Sequence, residues 1–568
     1  MTRRLSGLGF AAAVLLGGTV LLLTASGTAS REHWAEDLTG EASPVQQAKA
    51  LVGLVRQRPI PTADFAPTTH AGLPPLGANT FFEQEVEEWK VRRSMEMLRD
   101  AGVKWIRQEF PWDRIEPSVK GRYEDAFGST WTNYDRTVRL AQEYGLQVMP
   151  RLTLPPNWTR ADNSVPRAPP DNYNDYGDFV AAVVERYRGR VHYYQLWNEP
   201  NTVLEWGKPP NAADFVRLLR VGYERAKRAD PAVVIIAPAL SPTIGTPDGA
   251  NVSDLTFLQE MYDQGASAAF DIMSAQGYGL WTGPGDRRAD AYRTNLARVQ
   301  LVRELMVKNG DGRKPIWLAE MGWSALPPDF PGDAIHGRVT EEQQARYTAQ
   351  ALQRIQAEWP WVGVTFLWHF RRVSDEQRSQ ADFYFRMVDP DFTARPVYGA
   401  VQAVGAQPPV LNYGWRPITH VAITRSSGWE SAVRTVDGIG VPALAARDPG
   451  ESLSFRVRGR QVLLHLPPVP GGGSLAVTVN QRPSGVIRPR AVGAGRAAAT
   501  LLPGTNALPD GVNTIELRPV GDGLVVLAGI QVLTADREPA PMAAGVMVLL
   551  AALLALRLTF GAGAGRGR

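Results

Sequence analysis

Two glutamates mark the chemistry this sequence can do. Glu199 lies in Tyr194-Gln-Leu-Trp-Asn-Glu-Pro-Asn201, directly before a proline and at the end of an apolar run. Glu320 interrupts the otherwise apolar Ile316-Trp-Leu-Ala-Glu-Met-Gly-Trp-Ser324. Either one alone is compatible with a capping or salt-bridged carboxylate. A pair at two strand exits suits glycosidic cleavage, which passes through an oxocarbenium-like state. One carboxyl protonates the leaving oxygen and a second faces the anomeric carbon. Carboxyls about 5–5.5 Å apart make the second a nucleophile and retain configuration; about 6.5–9.5 Å leaves room for water and inverts it.

The elements that must position this pair are legible as eight short apolar runs. They are Leu76–Thr80, Val103–Gln108, Gln147–Leu152, Val191–Trp197, Val233–Ala237, Ile272–Gly277, Pro315–Ala319 and Gly363–Trp368. Helical patterns fill the gaps, as in Phe179/Val183/Tyr187 and Phe215/Leu219/Tyr223. Alternating strand and helix signals predict parallel βα units, and eight of them over residues 76–405 predict a (β/α)8 TIM barrel with insertions. A doubly wound open sheet would usually carry a glycine-rich phosphate turn after its first strand, which Gly77-Ala-Asn-Thr80 is not. Catalytic groups of such barrels sit at the C-terminal strand ends, so the exits of runs four and seven face each other across the mouth. Aromatics gather at these exits: Trp112, Trp158, Trp197, Trp281, Trp323 and Trp368. Flat rings suit the C–H faces of sugars, and Trp112, Trp323 and Trp368 are the substrate-contact candidates. Trp197 is the one most expected to cap the core instead.

The Trp197-Asn198-Glu199-Pro200 motif and Glu320 at the seventh strand resemble clan A (the 4/7 superfamily) of retaining glycoside hydrolases. Phe110-Pro-Trp-Asp-Arg-Ile-Glu-Pro117 adds to the likeness, above all with cellulase-like and β-xylosidase/iduronidase-like members. The resemblance implies Glu199 as acid/base, Glu320 as nucleophile and Asn198 as a partner of the sugar 2-hydroxyl. It also implies Arg107 and Tyr278 as partners of Glu320, and Trp368 as the sugar platform. An arginine beside a carboxylate favours the anion, which agrees with that assignment. Several families of the clan place a histidine after strand three, but Leu152-Thr-Leu-Pro-Pro-Asn157 has none. The alternative from another class is a catalytically inactive surface carbohydrate-binding protein on a degenerate barrel. Survival of both carboxylates with Asn198 and Arg107 favours the enzyme.

Beyond Pro408 strict alternation in Leu453/Phe455/Val457 and Leu475/Val477/Val479 predicts a small all-β sandwich over residues 411–535, either a stalk or an ancillary sugar binder. Its candidate exposed rings are Tyr413, Trp415 and Trp429. Residues 31–75 read as a linker with one helix over Ala35–Arg58. The start, 1–30, has a positive end and an apolar Leu8–Leu23, the layout of a signal peptide or an N-terminal membrane anchor. A second apolar run, within 541–560, predicts a C-terminal transmembrane helix. Arg3 and Arg4 at one end, and Arg566 and Arg568 at the other, put both ends inside and everything between them outside. The expectation is a bacterial cell-membrane protein with an extracytoplasmic barrel acting on a polysaccharide or oligosaccharide. Of 568 residues none is Cys, which excludes disulfides and thiolate chemistry. The formal charge of +4, without a basic block, gives no reason to expect nucleic acid. No metal or cofactor motif appears.

Overall fold

The computed structural model describes residues 33–534, except 166, 437, 438, 468, 470, 490 and 493–495. The apolar segments expected in 1–30 and 541–560 lie outside the described residues. Among the described residues no helix is long and apolar enough to cross a membrane.

Eight parallel strands form the centre: β1 Leu76–Thr80, β2 Trp105–Pro111, β3 Gln147–Thr153, β4 Tyr193–Leu196, β5 Val234–Ile236, β6 Met273–Gln276, β7 Ile316–Met321 and β8 Val362–Leu367. Their order is β5-β4-β3-β2-β1-β8-β7-β6. The parallel bridges Ile236↔Ile272 and Leu240↔Ala275 then join β5 to β6 and close the ring. Helices follow each strand in turn: α3 Glu88–Asp100, α4 Thr132–Glu143, α5 Tyr173–Arg186, α6 Ala212–Ala229, α7 Asp254–Asp263, α8 Val299–Lys308, α9 Glu341–Glu358 and α10 Pro396–Gly405. Their apolar stripes face the strands, and the sequence also fixes where they start. Asn211 caps α6 through the Asp214 N–H, and Thr340 with Gln343 forms a capping box on α9.

Alternation along the strands separates two cores. Outward residues such as Ile106, Tyr194, Leu196, Ile316 and Leu318 pack under the helices. Inward residues Trp105, Met149, Ile236, Ile272, Trp317 and Phe366 fill the lower barrel. Trp317 stacks on Tyr193 there, at 4.9 Å between ring centres. The next inward layer is polar, and it becomes the floor of the site.

The stretch expected as a linker with one helix holds two, α1 Trp34–Thr39 and α2 Pro44–Arg56. Gly40, at φ 69°, ends the first, because a side chain there would meet the backbone of Gly283 and Asp286. Both helices are pinned to the barrel. Arg346 of α9 pairs with Glu36 (3.0 Å) and Asp37, Arg288 with Glu41, and Arg58 with Glu304 of α8 (2.6 Å).

After α10 the regular elements among the described residues are all strands. Two five-stranded antiparallel sheets and one three-stranded sheet make up this region. Leu453, Phe455, Leu475 and Val477 of one large sheet share an apolar core with Val462, Leu464 and Ile530 of the other. Trp415 and Trp429 are buried, and half-buried Tyr413 meets Phe65 edge-on. The first two therefore offer no platform to a sugar.

Candidate active site

The mouth is shaped by two departures from regular strand geometry. At β4 the chain leaves the strand through Trp197 (φ 67°) and Glu199 (φ 42°), left-handed conformations that non-glycine residues seldom adopt. Burial of the Trp197 ring on the helix side, against Tyr176 and Trp206, turns the chain so that Asn198 faces inward. Asn201, fully buried, clamps the turn: its amide donates to Ser241 O and Val252 O, and its oxygen accepts from Ser241 N, all at 2.9 Å. Glu199 N donates to Ala239 O at 2.9 Å. Strain of this kind persists only where surrounding bonds over-determine it, as here.

The second departure is a bulge in β7. Ala275 pairs with Leu318, but the next residue, Gln276, pairs with Glu320, so Ala319 is extra. Strict alternation from inward Trp317 would point Glu320 at the helices. The bulge turns it into the mouth instead.

Arg107 of β2 organises the floor. Its Nη1 donates to Glu320 Oε1 (2.6 Å) and Asn79 Oδ1 (2.8 Å), its Nη2 to Asn198 Oδ1 (2.8 Å), and its Nε to Gln195 Oε1 (2.7 Å). Asn79 is held in turn by the carbonyls of Ala319 and Leu367. Tyr278 OH donates to Glu320 Oε2 at 2.7 Å. Gln276 donates from one nitrogen to Glu199 Oε1 and to Glu320 Oε2, the latter at 3.2 Å. The two carboxylates, from strands on opposite sides of the ring, thus share a single donor.

Their electrostatic settings differ. Burial, then the charges of Glu320 and Glu205, push Glu199 up to about 8. Among the described residues no arginine donates to it. Glu320 is only 4% exposed and faces three donors, one of them cationic. Burial followed by the Glu320 charge raises the Tyr278 phenol well above its ordinary value, so it stays a donor at any working pH.

The predicted residues divide cleanly. Glu199, Glu320, Asn198, Arg107 and Tyr278 form one bonded cluster. Trp368, the residue after β8, is half-buried, with Phe81 edge-on at 5.8 Å and the Arg372 guanidinium 5.8 Å from its ring. Trp112 and Trp323 are corrected: both are 0% exposed and have no surface left for a substrate. Trp112 stacks on Phe179 at 5.1 Å and donates to Glu116 at 2.6 Å. Trp323 donates to Thr282 O at 2.8 Å and packs against Gly279, where any side chain would overlap its indole. Trp281 is 63% exposed beyond the β6 exit. Gln276, Gln195 and Asn79 escaped the sequence reading, although Gln276 sits two residues before Tyr278 and so shares its face. Among the described residues no cluster of side chains is set to hold a metal ion.

No protein-family model matches the chain, and no curated protein matches it. Among solved structures it is similar to a family 39 glycoside hydrolase from the gut symbiont Bacteroides cellulosilyticus, at 17% identity and TM-score 0.45, over 81% of this chain and 82% of that one. It is also similar to a monomeric β-xylosidase from Caulobacter crescentus, at 15% identity and TM-score 0.44, over 83% and 98% of the two chains. A third is an exo-β-1,4-mannosidase from an Opitutaceae bacterium, at 15% identity and TM-score 0.43, over 62% and 64%. Likenesses this distant carry no weight for activity, which has to be read from the site.

Proposed function

We propose that this protein is a retaining glycoside hydrolase, held at a bacterial membrane by its terminal apolar segments with the barrel outside the cytoplasm. One observation supports the chemistry above all others: Glu199 and Glu320 accept from the same nitrogen of Gln276. Their nearest oxygens are then no further apart than two hydrogen bonds laid end to end, about 6 Å. That favours the close spacing of a nucleophilic mechanism over the wider spacing that admits a water.

In this reading Glu320 attacks the anomeric carbon while Glu199 gives its proton to the departing glycosidic oxygen. The C–O bond breaks and a glycosyl ester to Glu320 forms. Glu199, now a carboxylate, takes a proton from water, whose oxygen displaces Glu320 and restores both groups. Arg107 and Tyr278 hold the Glu320 oxygens in line. Arg107 also occupies the Asn198 oxygen, which leaves the Asn198 amide N–H groups for a sugar hydroxyl. Trp368 supplies the apolar face under the ring. The tethered, extracytoplasmic placement rests on the apolar runs near each end and their flanking arginines.

The test compares the full chain with Glu320→Gln on β-linked polysaccharides and aryl glycosides, reading reducing ends or aglycone. Activity that collapses in the variant supports the hydrolase and names its sugar class. Equal activity in both would remove Glu320 as nucleophile. Silence in both with sugar binding intact would favour the carbohydrate-binding barrel.

A further inference from the structure

The opposite end of the barrel holds a second site with its own chemistry. A cavity of about 260 Å³ opens between the N-terminal strand ends, α9, α10 and the first strands of the β region. Leu73, Leu352, Ile355, Trp359, Val362 and Val404 supply apolar wall. Its charged lining is Lys104, Arg416 and Arg458, and no carboxylate lines it.

Arg416 is the decisive residue. It is 4% exposed, and its bonds go to carbonyl oxygens only: Nε to Asn412 O (3.1 Å), Nη2 to Gln356 O (3.1 Å) and Tyr413 O (2.9 Å). Among the described residues its Nη1 meets no acceptor and no carboxylate forms an ion pair with it. Arg303 shows what a purely structural guanidinium looks like in this protein. Buried as deeply, it also donates three hydrogen bonds to carbonyls, but one from each nitrogen, Nε, Nη1 and Nη2 to Thr62 O, Lys314 O and Gly312 O, so no nitrogen goes without a partner. A buried charge without a counter-charge is costly, and burial draws Arg416 down to about 10 with the Asp64 charge in partial opposition. His420 adds no second charge: it is pushed down to about 3 by burial and then by Arg416, and its Nδ1 accepts the Ala422 N–H at 3.0 Å.

We propose that this cavity binds a small organic anion with an apolar body, its charged head on Arg416 Nη1 and its body against the Trp359 side. Lys104 and Arg458, both exposed at the rim, would draw the anion in. The volume falls just below the ~300–1,000 Å³ of drug-sized sites, so the ligand is small.

The test is calorimetric titration of the full chain with octanoate, beside 1-octanol and inorganic phosphate. Octanoate is expected to fill one saturable site, about tenfold or more tighter than octanol, and phosphate not to bind. Arg416→Gln should weaken octanoate about tenfold or more, the worth of a buried charge-assisted hydrogen bond. Because a buried replacement can fail to fold, Lys104→Glu is measured alongside. It should weaken octanoate about threefold while the unfolding temperature and any glycoside hydrolysis stay at the parent level. Glu320→Gln should bind octanoate as the parent does, which separates this site from the catalytic reading. Absence of saturable octanoate binding would overturn the proposal. So would equal affinity for octanoate and octanol unaffected by either variant, or phosphate binding as tight as octanoate.

Discussion

Arg107 and Arg416 are buried to nearly the same degree at opposite ends of one barrel, yet they are satisfied in different ways. Arg107 reaches four side-chain oxygens, one of them the Glu320 carboxylate. Arg416 reaches three backbone carbonyls and keeps one nitrogen unused. At the mouth the protein supplies its own counter-charge and fixes its position, as transition-state chemistry requires. At the base no carboxylate among the described residues pairs with the cation, and the Asp64 charge offsets its burial only in part. A buried cation by itself thus says little about function; what its remaining nitrogens face says a great deal.

The contrast can be broken at its strongest point first. Glu320→Gln deprives Arg107 of its carboxylate and makes it resemble Arg416, and hydrolysis should fall on the order of 10⁴-fold or more. Arg107→Gln should lower kcat/KM about 10²–10³-fold and, by stranding a buried carboxylate, cost about 3–5 kcal/mol in urea unfolding. Next is the pH profile. Glu199 must carry its proton to donate it, so kcat/KM on a substrate with a poor leaving group should fall as pH rises through about 8. A limb near the ordinary carboxylate value of 4.5 would break the link between burial and acid function. Smallest is a difference between two truncations. Arg303→Met, which orphans three carbonyls and removes a guanidinium 5.4 Å from the Trp361 ring, should cost about 2–4 kcal/mol, and Arg416→Met, which orphans three carbonyls alone, about 0.5–1 kcal/mol less. Equal losses in thermal unfolding would erase the distinction between the two arginines.

Much of the barrel was legible because eight short apolar runs are separated by gaps of helical period. Glu199 and Glu320 stood out because carboxylates at strand exits are conspicuous. The aim of Glu320 was not readable, since strict alternation from Trp317 would send it outward and a bulge leaves no mark in composition. Trp112 and Trp323 misled for a related reason. Position at an exit does not say which way a ring points, and Phe179 on α5 and Gly279 after β6 decided that for them. Gln276 passed as one more residue of an apolar strand. The N-terminal face was invisible, because its cavity depends on how the β region docks against α9.

The clasp formed by α1 and α2 has a bearing on how the protein is put together. Residues 33–58 reach the barrel through ion pairs with Arg346, Arg288 and Glu304, and the backbone joining them to β1 runs through the proline-rich stretch 59–75. That stretch is itself bonded to the body: Thr62 O accepts from Arg303, His70 O from Trp317 and Gly72 O from the Val421 N–H. A single proteolytic nick at exposed Pro61 would therefore leave two pieces, each bonded to the rest on its own account, and a chain begun at Leu76 would be a complex missing its partner.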